Sequence, residues 1–107
     1  MKDFKKEHLR DHAYHVSSID FDIFNSRVYI VLVQDFRKPY ITDTIEFFDV
    51  TAYRGEFDVE DFEDDCLEPL VDLLFGDVEE QVEYLINFGV GELYFKSRCD
   101  PIIKYGQ

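Results

Sequence analysis

From Val16 onward the chain alternates: Ile19, Phe21 and Ile23 are separated by Asp20 and Asp22, the period of two of a strand with one buried and one wet face. Asn25-Ser26 supplies a turn. Val28 to Val33 follows, apolar on both faces and rich in β-branched residues, which reads as a central strand. Arg37-Lys38-Pro39 breaks the run. Tyr40 to Val50 resumes it with Ile41, Ile45 and Phe47, and the adjacent Phe47-Phe48 predicts a bulge that shifts the alternation before Val50. Ala52, Tyr53, Arg54 and Gly55 close an antiparallel meander of three strands on short connections.

The second half changes period. Val59, Phe62 and Cys66 fall at helical spacing, and Pro69 starts a second short turn through Leu70, Leu73 and Leu74 that stops at Gly76. Asp77 with Glu80 three residues on has the form of a capping box, ahead of an apolar stripe of Val78, Val82, Leu85 and Ile86 that Gly89 ends. Glu92 to Arg98 alternates once more, with Leu93, Phe95 and Ser97 on one side and Tyr94, Lys96 and Arg98 on the other. Ile102-Ile103, after the Asp100-Pro101 turn, adds a final edge strand. The expected fold class is α+β: an antiparallel sheet of about three to five strands with one or two helices packed on one face. With 107 residues and 46% hydrophobic content, the chain is expected to form a single domain over residues 1–107, residues 1–10 being a polar N-terminal arm.

Charge alters this picture most. Eleven Lys and Arg stand against 24 Asp and Glu, a net charge of −13 and a pI near 4.4. Residues 1–54 carry nine acids and eight bases, residues 55–95 carry fourteen acids and no Lys or Arg, and residues 96–107 carry three bases and one acid. Such a surface repels phosphate backbones and anionic lipid, so direct nucleic-acid or membrane binding is not expected. The opening MKDFKKEHLR lacks the apolar core of a secretory signal, and no run reaches the ~20 apolar residues of a membrane span. Cys66 and Cys99, without Cys-x-x-Cys spacing, are expected as two buried, reduced thiols in a cytoplasmic protein, with a single bridge as the alternative.

Two clusters invite chemistry. His8, His12 and His15 would share one face of a helix, which is transition-metal ligand geometry, with Glu7 and Asp11 beside them. If residues 12–16 are extended, the imidazoles do not converge. Glu56, Asp58, Glu60, Asp61, Glu63, Asp64, Asp65 and Glu68 place eight carboxylates in thirteen residues. A calcium loop is excluded by spacing: counting from Asp58 the sixth residue is Glu63, and from Asp61 it is Cys66, where the tight turn needs Gly. Eight mutually repelling carboxylates cost stability, and interspersed Lys would serve solubility without that cost. A continuous negative surface suits rapid capture of a basic partner, and nucleases are basic partners of that kind. Enzyme signatures are missing: the five glycines form no phosphate loop, and there is no G-x-S-x-G elbow. No cofactor is expected.

Asp11-His12 leading into a strand, two long strands, and Phe47-Phe48-Asp49-Val50 closing the meander together resemble small immunity proteins of bacterial polymorphic-toxin systems, over residues 9–55. The resemblance implies a short acidic inhibitor that blocks a secreted toxin, often a nuclease, by direct binding. The expected function is therefore that of a non-enzymatic interaction protein. Glu56, Asp58, Glu60, Asp61, Glu63, Asp64 and Asp65 are expected to contact the partner, joined by Glu79, Glu80 and Glu83 on the exposed side of the later helix. The alternatives are a metal-binding or metalloenzyme domain built on the three histidines, and a subunit of a homo-oligomer joined through exposed strand edges.

Overall fold

The computed structural model describes residues 1–10, 13–57, 68–89 and 91–106. It contains β1 (Lys2–Asp3), α1 (Phe4–His8), β2 (His15–Asp22), β3 (Arg27–Val33), β4 (Thr42–Phe47), β5 (Val50–Phe57), β6 (Glu68–Val78), β7 (Gln81–Phe88), β8 (Gly91–Ser97) and β9 (Ile102–Lys104). Every pairing is antiparallel, in the order β5-β8-β7-β6-β2-β3-β4-β9, with β1 added to β6. β6 joins the two halves. Its long body pairs with β7, while its first residues, Glu68 and Pro69, pair with Val16 and His15 of β2. Phe47 of β4 meets Tyr84 of β7 at 4.7 Å and Phe95 of β8 at 4.8 Å between ring centroids, so the halves face each other across one core.

This architecture corrects the α+β expectation: the described residues are mostly antiparallel β-strand, and the one helix among them is five residues long. The stretch Gln81–Phe88 shows why. Tyr84, Ile86 and Phe88 are buried at a period of two. The helical stripe of Val78, Val82, Leu85 and Ile86 instead divides between both sheet faces. A helix there would satisfy its own backbone but leave β6 and β8 without the neighbour that pairs with each along its length. Asp77 therefore lies in β6 and Glu80 in a hairpin turn, not at a helix start, and Gly76 lies inside a strand. Leu70, Leu73 and Leu74 belong to β6, where a bulge between Leu70 and Asp72 shifts the alternation so that Leu70 and Leu73 both face the core. The expected helix through Val59, Phe62 and Cys66 lies outside the described residues.

In the first half β2, β3 and β4 pair in sequence, with Ile19, Ile30 and Ile45 forming one inward rung. The bulge expected at Phe47-Phe48 is a corner: β4 ends at Phe47, and Asp49 turns the chain with φ 48° into β5, which leaves β4 and pairs with β8. The end of β8 holds that corner, through Ser97 Oγ donating to the Phe48 carbonyl (2.5 Å) and Arg98 N–H to the Asp49 carbonyl (3.3 Å). Residues 1–10, expected as a polar arm, include β1 and α1. Asp3 caps the helix by accepting from the Lys5 and Lys6 amides, and Phe4 is buried against Phe75 and Tyr84.

A carboxylate sits fully inside this framework. Asp43 accepts from Tyr14 O–H (2.5 Å), Gln34 Nε2 (2.6 Å) and the Gly106 amide (2.7 Å). The segment after β9 is tied down there: Arg10 donates to the Gly106 carbonyl at 2.9 Å and lies over the Tyr105 ring, and Tyr105 O–H donates to the His8 carbonyl. A side chain at position 106 would overlap the Thr42 backbone, so the close approach requires glycine.

Burial pushes the Tyr84 hydroxyl up to about 12, helped by the charges of Asp100 and Asp77. Tyr14 is raised too, by burial first and then by its hydrogen bond to Asp43. Both phenols hold their protons more tightly folded than unfolded. Their contribution is complete below the ordinary value of 10.0 and is lost as pH rises through the folded value. The urea midpoint is therefore expected to fall as pH climbs from about 10 to about 12, and more gently in Tyr84→Phe. Equal slopes in the two proteins would show that Tyr84 is not a source of the alkaline loss.

Candidate protein-binding surface

Sheet register sets which carboxylates meet. Leu93, Phe95 and Ser97 of β8 point into the core, so Glu92, Tyr94 and Lys96 point out. Extending each across the paired strands gives three outward rungs. The first is Glu56, Glu92, Asn87 and Asp72, from β5, β8, β7 and β6. The second is Arg54, Tyr94, Leu85 and Leu74; the third is Thr51, Lys96, Glu83 and Gly76. Arg54 lies over the Tyr94 ring at 5.1 Å, and Tyr94 O–H donates to Glu83 Oε2 at 2.8 Å, which raises the Tyr94 pKa. The face thus has an apolar middle, Tyr94 with half-buried Leu85 and Leu74, between an acidic rung and a mixed one.

The acidic rung is electrostatically unfavourable. Glu56 stands directly opposite Glu92, both exposed, and like charges so placed weaken a strand pair. Among the described residues, no ion pair neutralises Glu56, Glu92 or Asp72. Glu79 and Glu80 form the two-residue β6–β7 turn, closed by Val78 opposite Gln81. Glu79 takes φ 58°, a backbone region where hairpin turns favour Gly or Asn.

Of the sequence-derived site residues, Glu56, Glu79, Glu80 and Glu83 are in place on strands and a turn, and the supposed exposed helix side does not exist. Glu83 is already engaged by Tyr94 and faces Lys96 in register. Asp58, Glu60, Asp61, Glu63, Asp64 and Asp65 lie outside the described residues. Of the histidines, His8 packs its ring on Phe4 (4.6 Å) and Phe75 (5.6 Å), and His15 packs edgewise on Phe36 (5.8 Å). His12 is outside the described residues, among which no group of three or more His, Cys, Asp or Glu side chains is placed to hold a metal ion. Cys99 is a free thiol that is exposed, which corrects the expectation of burial, and Cys66 lies outside the described residues.

Sequence reasoning missed Asp72, Glu92 and Tyr94, because a helical reading of residues 77–88 conceals the cross-strand rungs. It also missed an apolar cluster at the β2–β3 turn. Phe24 is 100% exposed, Ile23 70% and Phe21 41%, with Phe21 edge-on to Tyr53 at 6.2 Å. The alternation through Ile19, Phe21 and Ile23 is real, but its apolar face runs past the rim of the core. Two large apolar residues directly before an Asn-Ser turn were the available signal. On the outer face of the first half, Asp20, Asp22, Tyr29 and Glu46 surround Arg27, which pairs with Glu46.

These features define a small antiparallel β protein with two facing sheet halves and an acidic outer surface. No family model matches the chain, and no curated protein matches it. Among solved structures it is similar in fold to an uncharacterized protein from Neisseria gonorrhoeae. That likeness has a TM-score of 0.64 at 11% identity, over 89% of this chain and 93% of the other. Among the described residues no helix is long and apolar enough to cross a membrane.

Proposed function

We propose that this chain is a non-enzymatic, cytoplasmic interaction protein whose acidic surface binds and neutralises a basic protein partner, in the manner of an immunity protein against a bacterial toxin such as a nuclease. The observation that carries the reading is the Glu56–Glu92 pair with Asp72 on the same rung and no base among them. Folding alone favours alternating charge across a strand pair. A cationic partner turns this repulsion into attraction and gains association rate from it. Glu79 supports the reading likewise, since it keeps a carboxylate at a backbone position suited to Gly or Asn.

Acids retained for binding should be dispensable for folding. Glu92→Gln and Glu79→Asn are each expected to stabilise the protein by about 0.2–1 kcal/mol in urea unfolding. In a tagged pull-down from the native host, eluted by salt steps, the wild type should release one basic protein at a definite step. The triple reversal Glu56→Lys, Asp72→Lys, Glu92→Lys should fail to retain it. Retention of the same protein at the same salt step by the triple variant would refute the proposal.

A further inference from the structure

The β2–β3 turn carries the most exposed large apolar side chain among the described residues, Phe24, and hydrogen bonds hold the turn in shape. Ser26 takes φ 53°, and its amide donates to the Ile23 carbonyl at 3.4 Å. Asn25 donates to Asp22 from its backbone (3.2 Å) and its side chain (2.8 Å), which holds the Asp22 carboxyl below its ordinary pKa and therefore ionised. The Ser26 carbonyl accepts from Val50 N–H at 2.8 Å, anchoring the turn to the start of β5. A projection already ordered in this way gives up little conformational entropy on docking.

We propose that Phe24, with Ile23, Phe21 and Tyr53 around it, is the apolar anchor of the interface, inserting into a cleft of the basic partner that has an apolar floor and a Lys- or Arg-lined rim. The inference rests on the acidic-surface reading and extends it to a second element. Three observations select this occupant. Fully exposed Phe24 and largely exposed Ile23 form a patch of the kind that marks a contact site, not scattered surface apolarity. Asp22 leads into the turn from the outer face of β2, where it and Asp20 lie beside Arg27, and its charge adds to the burial that raises the Tyr53 pKa, so negative charge stands next to the anchor. That charge suits a cationic rim and opposes a second copy, because self-docking would bring Asp22 toward Asp22 in a chain of net charge −13. Continuity is the third. Tyr53, in register with inward Phe95, and Glu56, in register with outward Glu92, lie on opposite faces of β5, which is the terminal strand of the order among the described residues, so a partner that wraps this edge meets both anchor and acidic rung. An isolated patch of this size is smaller than the ~800 Å² per partner of a standard interface, which makes it the centre of a larger contact.

The test places p-benzoylphenylalanine at Phe24, at Tyr94 on the acidic face, and at exposed Tyr40 as control, in the cells that make the protein. Irradiation should join Phe24 and Tyr94, but not Tyr40, to one protein of basic pI. With that protein purified, Phe24→Ala should weaken binding about 30-fold or more, through faster dissociation, with the salt dependence of association unchanged and the fold intact by circular dichroism. A basic adduct at Tyr94 with none at Phe24 overturns the anchor and leaves the acidic surface standing. No basic adduct at either position overturns both. A Phe24 adduct with a second copy of this chain, or wild-type affinity in Phe24→Ala, also overturns the anchor.

Discussion

Phe47→Ala is expected to destabilise the protein by about 3–5 kcal/mol, a loss that approaches the whole stability of many domains this size. Phe47 is fully buried, and its ring packs edgewise against both Tyr84 and Phe95 of the opposite sheet half, which stack on each other. Truncation removes the transfer energy of a large apolar group, leaves a cavity that paired strands on either side cannot close, and abolishes two edge-to-face ring contacts. The residue also precedes the corner at Phe48 and Asp49, where the chain leaves the first half for the second. Urea unfolding followed by far-ultraviolet circular dichroism should show a much lower midpoint. Phe47→Leu, which keeps most of the volume, should recover over half of the loss. A shift of under about 1 kcal/mol in Phe47→Ala would mean that the two halves do not depend on this contact.

Asp43→Ala is the second large effect, expected at about 3 kcal/mol or more, because it removes a fully buried acceptor shared by three donors, buried Tyr14 and half-buried Gln34 and Gly106. Tyr14, Gln34 and the Gly106 amide all point at the same carboxylate from distant parts of the chain. Their loss should also release the segment after β9, since Gly106 is held there by Asp43 and Arg10 together. Hydrogen exchange at the Gly106 amide separates this from general weakening: it should become fast in Asp43→Ala even under conditions where the β3 amides stay protected. Continued protection of Gly106 in the variant would show that the carboxylate is not what secures it. Tyr14→Phe, which removes one donor and keeps the ring, should cost much less.

The strands that could be read from pattern are those whose neighbours lie close in sequence or whose alternation is clean. Ile19 to Val33, and Leu93, Phe95 and Ser97, announce their inward faces by residue type alone. Ile102-Ile103 is legible as an edge strand for the same reason. Residues 77–88 are not. Their apolar spacing satisfies a helical stripe and a two-sided strand equally, and only pairing with β6 and β8 decides between them. Asp43 looks like any acid in an alternating strand; no local feature reveals that Tyr14, Gln34 and Gly106 converge on it.

The candidate surface divides along the same line. Charge segregation needs no coordinates, because fourteen acids without a base over residues 55–95 is a property of the chain. Which of those acids confront one another is a matter of register, and Glu56 meets Glu92 only because β5 crosses from β4 to pair with β8. Composition and local alternation therefore specify a negatively charged protein rich in strands, since burial and net charge sum over residues individually. The sheet order, the corner at Asp49, the Asp43 hub and the projecting Phe24 depend on contacts between residues far apart in sequence, and those energies do not exist until the chain has folded.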